Sequence, residues 1–253
     1  MPRSVRLGCL PHDPARAALL PAARYGVALP PQSIPVPTWQ PAMLDNDTLP
    51  NCTAVALANA ARAWAHRQER LDVLITAPAV DALYAAAIGM PGATAAQLAA
   101  TDGADPLAVV EQAQAAGFNV GSQVPLVPDF ATVAPDRTAL ANAMARAGGV
   151  MLALILDTSD MADFEAGRSW VGALSGFVAG GHMVCACAYD GLADTDTVHI
   201  ATWGAWQPAS WGWVLARARL GVATGWRQLT APGADYAAAW GAEGALDAAA
   251  PLV

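Results

Sequence analysis

Charge is scarce in this chain. Asp, Glu, Lys and Arg make up 13% of its 253 residues, against 55% hydrophobic. The few charges lean acidic, with a formal net of −8, and no run of Lys or Arg gathers into a basic patch. A grip on the nucleic-acid backbone needs a basic surface, so nucleic-acid binding is excluded as a function class. The apolar content argues against a disordered chain, and the length suffices for one large core or two lobes sharing an interface.

Other absences narrow the class further. No secretory signal opens the chain: Met1-Pro2-Arg3-Ser4-Val5-Arg6 leads into a segment broken by Pro11, His12 and Asp13. A reducing interior is therefore the expected compartment, cytoplasmic at synthesis. Ser169 to Tyr189 holds no Asp, Glu, Lys or Arg and approaches bilayer-spanning length. Yet Gly172, Gly176, Gly180, Gly181 and His182 interrupt it, so it reads as a loop feeding a buried strand, with no membrane insertion. His12, His66 and His199 share no ligand spacing with each other or with the cysteines, so no metal and no cofactor is expected. There are four cysteines, at positions 9, 52, 185 and 187. Cys185 and Cys187 alternate within an apolar run, poorly placed to bond each other, and read as small buried hydrophobes. No internal repeat is visible.

What the chain does contain falls into three parts. Residues 1–48 are rich in proline, which removes amide donors and favours extended chain; they read as an arm laid over the surface, with Trp39 pinning its end. Residues 49–230 form the main domain, with a helical lobe over about 49–128 and a β-rich lobe over about 129–230. Helices are expected from Cys52 to about His66, from Ala77-Pro78 to Ile88, from Pro106 to Ala116 with Gly117 as the stop, and from Arg137 to Ala147. Strands are expected over Val150–Leu156, His182–Tyr189 and Thr197–Thr202, and around Trp211–Val214. Gly191 to Asp196 makes a hairpin connection. Residues 231–253 are an Ala/Gly-rich tail carrying Asp235, Glu243 and Asp247, which reads equally as a docking arm or a disordered end.

The chemistry-bearing pair is Cys52 and His182. Cys52 opens the apolar helical stretch, and Gly180-Gly181-His182-Met183-Val184 arrives late on a strand. A thiol at its ordinary pKa is mostly protonated at neutral pH; a helix N-terminus and a nearby imidazolium both favour the thiolate. The bland alternatives are a core cysteine and a structural histidine, and only the joint placement speaks against them. Trp203, Trp206, Trp211 and Trp213 read as packing residues. Asp45, Asp47, Asp102 and Asp105 read as turn and cap residues.

This order of motifs resembles the papain-like cysteine peptidases. In that family a histidine strand is followed by a strand closing on Asn-Ser-Trp-Gly; here the matching stretch ends Val198-His199-Ile200-Ala201-Thr202-Trp203-Gly204. More narrowly, Leu44 to Thr53 and Ala201 to Trp211 are similar to papain-like proteins of tailed phages and prophages. The similarity spans roughly residues 40 to 230. It implies an α+β, papain-like fold, a helical lobe with the Cys helix packed against a β-rich lobe carrying the His, with the site in the cleft between them. It also implies Cys52 as nucleophile, His182 as general base and then acid, and Asn46, six positions before Cys52, as oxyanion donor in place of the family's Gln. Ala201 departs from the pattern, standing where the orienting Asn belongs; Thr202, Asp190 or a backbone carbonyl is left to hold the imidazole. Two functions follow. One is a cysteine hydrolase cleaving a peptide or isopeptide bond. The other is a degenerate domain serving assembly or attachment in a phage-like particle, with neighbouring particle subunits as partners.

Overall fold

The computed structural model describes residues 5–22, 29–70, 73–118, 125–173 and 177–240. A short α1 (Pro14–Leu19) is followed by α2 (Cys52–Arg67), α3 (Ala77–Ala87), α4 (Ala95–Ala99) and α5 (Pro106–Ala116). After these come β1 (Pro128–Val133), α6 (Arg137–Ala147), β2 (Val150–Asp157), α7 (Thr158–Glu165), β3 (Val178–Tyr189), β4 (Thr197–Thr202), β5 (Ala205–Ser210), α8 (Trp211–Arg217), β6 (Ala218–Trp226) and α9 (Tyr236–Trp240). The strands form one six-stranded sheet in the order β1-β6-β2-β3-β4-β5, every pairing antiparallel.

The central helix is α2, whose run of alanines combines high helix propensity with minimal bulk. Cys52 through Ala61 and Ala63 through Ala65 are all buried, so this helix is enclosed on nearly every face and packs on β3. Small side chains let sheet and helix approach closely, which sets the start of α2 beside the middle of β3. The expected helices form at Ala77, where Pro78 occupies the first turn, and at Pro106 and Arg137, where side-chain caps place them. Asp105 accepts the Leu107 amide, Asp136 accepts that of Ala139, and Gly148 leaves α6 in a left-handed conformation at φ 77°.

Three expectations need correction. The stretch around Trp211–Val214 is helix α8, not strand: the Ser210 hydroxyl accepts the Trp213 amide at 3.2 Å and starts a helical turn. Its buried Trp211, Trp213 and Val214 satisfy a helical period as well as a strand's. Strands β1, β5 and β6 were not foreseen, because Asp129, Pro208 and Arg219 break their apolar patterns. The proline-rich segment does not only lie on the surface; Gly8 and Cys9 are buried between Gly181 and Ala104, while Arg6 and Leu10 on either side are exposed. Trp39 does close the segment, packing on Trp206 with ring centroids 4.9 Å apart and accepting its indole N–H.

The tail docks at least as far as Trp240: its ring lies 6.0 Å from Trp64, and the Tyr236 hydroxyl donates to Asp129 at 2.6 Å. Glu243 and Asp247 lie outside the described residues, as does Gly176. No described helix is long and apolar enough to cross a membrane. Cys185 and Cys187 are buried and free, with sulfurs 3.6 Å apart where a bulge interrupts the β3–β4 register.

Candidate active site

Cys52 is the first residue of α2 and is fully buried. Backbone hydrogen bonds from Met183, Gly8, Thr53 and Cys52 itself reach its thiol and favour the thiolate. Burial outweighs them and pushes the thiol up to about 12. His182 is also fully buried, on β3 one residue before the amide that touches the thiol. Its ring stacks on Trp203 with centroids 4.0 Å apart and planes 17° from parallel. Its Nε2 is 2.7 Å from the Thr202 hydroxyl, while Nδ1 has no hydrogen-bond partner among the described residues. Burial alone lowers its pKa to about 3. The two groups are thus held neutral, in contrast to the ion pair expected from the sequence.

Of the substitutes for the missing Asn, Thr202 is the one that reaches the imidazole. Asp190 instead pairs with His199 at 3.0 Å, and Ala201 is a sheet residue facing Cys185 and Trp206 in the register. A hydroxyl both accepts and donates, so it can hold either imidazole tautomer. Asn46 is buried near the entry to α2, where its Nδ2 donates to Leu49 O at 3.1 Å. An amide NH₂ carries two hydrogens, so one is spent on this turn and one remains. Asn51, just before the cysteine, donates to Leu44 O and to Asp81. Asp81 is raised to about 6, chiefly by burial.

The front of the site is closed by the chain's own N-terminal segment. Gly8 N and Cys9 N both donate to Gly181 O, at 3.3 and 3.1 Å. On the other wall Leu10 N donates to Ala104 O, and Ala104 N to Gly8 O. Arg6 N donates to Asn46 O, and the Trp203 indole to Arg6 O. The fit depends on missing side chains: a Cβ on Gly8 would stand 2.1 Å from Pro50 O, one on Gly103 2.0 Å from Gly8 O, and one on Gly181 2.0 Å from Cys9 O. Sequence reasoning missed this placement, although an apolar Leu7-Gly8-Cys9-Leu10 in an otherwise proline-rich arm was a visible irregularity.

An antiparallel sheet facing a central helix, with a cysteine at the helix start and a histidine on the facing strand, defines a papain-like α+β fold. The solved structure of xylellain, a cysteine protease from Xylella fastidiosa, superposes with a TM-score of 0.63 at 16% identity, covering 88% of this chain and 97% of that one. A structure from work on the mite allergens Blo t 1 and Der p 1 gives 0.54 at 11% identity, covering 87% and 80%. No protein-family model and no curated protein sequence matches the chain.

Proposed function

We propose that this protein is a cysteine hydrolase acting on peptide or isopeptide bonds, with Cys52 as nucleophile and His182 as its base, and that the structure describes its self-occluded state. The observation that carries the reading is the orientation of His182. Thr202 and Trp203 fix the ring from one side and leave Nδ1 unpartnered, one residue along the strand from the amide that contacts the Cys52 thiol. A ring held this way is set to exchange a proton with a group on the helix.

In the open state, water and the substrate's dipoles replace the apolar cover, and the thiol can transfer its proton to Nδ1. The thiolate attacks the carbonyl carbon, and the oxyanion is met by the Cys52 amide and the second hydrogen of Asn46 Nδ2. His182 returns the proton to the leaving amine, giving an acyl-thioester that water hydrolyses through the same base. The chain's own segment lies across this path in extended form, so it must leave before any substrate enters.

The particle-protein reading drew on Ala201, the proline-rich arm and the C-terminal tail, and a hydroxyl in hydrogen-bond contact with Nε2 weakens the first of these grounds. Phage-particle subunits as partners therefore stand as the alternative that a negative test would favour.

The test is the pH dependence of Cys52 alkylation by iodoacetamide in the full chain, mapped by mass spectrometry. The wild type should react slowly throughout the neutral range. Gly8→Val, which cannot seat the segment against Pro50, should react roughly a hundredfold faster at pH 7 and retain reactivity below it. Adding His182→Ala should abolish the gain. Reactivity in Gly8→Val that follows an ordinary thiol and ignores His182 would sink the hydrolase reading.

A further inference from the structure

Beside Gly181 lies a cavity of about 370 Å³. Its floor is the face of the sheet at Ala153, Ile155 and Val178, its rim includes Gly180 and Leu10 of the occluding segment, and one cation, Arg219, lines it. No Asp or Glu lines it.

Arg219 owes its position to a break in the sheet. Ala153 pairs with Leu220 and Leu154 with Ala218, so Arg219 is the extra residue of a bulge and has no partner in β2. A bulge turns the side chain of its extra residue away from the regular alternation. The guanidinium is then tied down by its own neighbourhood: Nη1 donates to Ala216 O at 3.0 Å and to Ala218 O at 3.1 Å. No carboxylate lies within ion-pair distance of it among the described residues. Of the other exposed arginines, Arg168 pairs with Asp163 and Arg227 with Asp129, whereas Arg6 and Arg67 have no such partner among the described residues and line no cavity with Arg219.

The occluding segment marks the track a bound backbone follows. Its amides at Gly8 and Cys9 use Gly181 O, and the residues from Cys9 to His12 line the cavity without filling it. We infer that this cavity is the specificity pocket of the cleft and that it takes a glutamate side chain of a bound peptide. The methylenes of glutamate pack on Ala153, Ile155 and Val178, and its carboxylate meets the free edge of Arg219 in a charge-assisted hydrogen bond. As a statement about substrate this rests on the hydrolase reading. As a statement about binding it does not.

Binding is therefore the measurement. In full-length Gly8→Val/Cys52→Ala protein, two pools of fluorescent hexapeptides, one with Glu and one with Gln fixed at the third position, are compared by anisotropy. The Glu pool should bind about three- to tenfold more tightly. The preference should vanish in Arg219→Ala and pass to a Lys pool in Arg219→Glu. Equal binding, no binding, or a preference that survives Arg219→Ala overturns the assignment. So does an Arg219-dependent dimer without Glu preference, which would assign the cavity to a second copy.

If the unseated variant does not fold, the segment itself serves as the probe. Leu10→Glu should melt about 2 °C above Leu10→Gln in the otherwise wild-type chain, and the difference should disappear with Arg219→Ala. No difference overturns the proposal. Alkylation of Cys52 tests the hydrolase reading separately, so the two fail independently.

Discussion

Two buried polar centres in this molecule are built by different rules. Around Arg217 one buried cation meets two carboxylates. Its Nε donates to Asp160 Oδ2 at 2.9 Å and its Nη2 to Asp160 Oδ1 at 3.0 Å, and Asp157 stands 3.5 Å from the same Nη2. The Trp213 indole also donates to Asp160, and the Trp170 indole to its carbonyl. Around Cys52 the groups are neutral, and the His182 Nδ1 is left without a partner. Burial costs both centres solvation. The first recovers much of it through ionic contacts within the fold, although Arg217 Nη1 also lacks a hydrogen-bond partner among the described residues, whereas the second relies on close packing that includes Gly8 and Cys9.

The contrast can be broken most severely at Arg217. Arg217→Ala should cost about 3–5 kcal/mol in urea unfolding, since it strands two buried carboxylates. A loss below about 1 kcal/mol would remove the distinction between the two centres. Next in size is Thr202→Val, expected to cost about 1–3 kcal/mol because the imidazole then lacks its Nε2 partner. In the Gly8→Val background the same change should slow Cys52 alkylation about tenfold, with Thr202→Ser restoring it. Slowing that Thr202→Ser fails to restore would mean that the hydroxyl is not what orients the ring.

The pH dependence separates the centres without changing contacts. His182 in the fold lies at about 3, below the ordinary imidazole value, so the unfolded chain takes up the proton first. Its contribution to stability is complete above about pH 6.5 and is lost as pH falls from there toward 3. His182→Gln should flatten that part of the melting-temperature profile; an unchanged profile would show that the ring is solvated. The smallest effect belongs to Asp81. Raised to about 6 in the fold, it is disfavoured as a carboxylate, so it lowers stability above about pH 6 and this loss is relieved as pH falls from 6 toward 4. Asp81→Asn keeps an acceptor for Asn51 and should gain less than about 1 kcal/mol at pH 7, because solvent screens this half-buried group.

Much of this was legible before any coordinates. Helices α2, α3, α5 and α6 and strands β2 and β4 lie within a residue or two of where periodicity and caps put them. In each, one dominant local signal agrees with the tertiary outcome. Strand β6 was illegible because Arg219 sits in its bulge, and α8 because two tryptophans spaced by glycine fit either period. In the site, Cys52 and His182 could be singled out from order and residue type. That the imidazole's partner is Thr202 rather than Asp190 could not, since three neighbours offered suitable atoms and only the strand register chose among them.

The sequence by itself determined the class: an acidic chain with one large core, a cysteine at a helix start, a histidine on a late strand and an α+β arrangement to join them. Those follow from composition, period and motif order, which are properties of short stretches. The tertiary structure decided what state the site is in. Cys52 and His182 are both fully buried, with Gly8 and Cys9 packed between Gly181 and Ala104 nearby, and burial shifts both toward neutrality. Desolvation depends on every atom packed around a group, from segments far apart in the chain, and no local pattern records it.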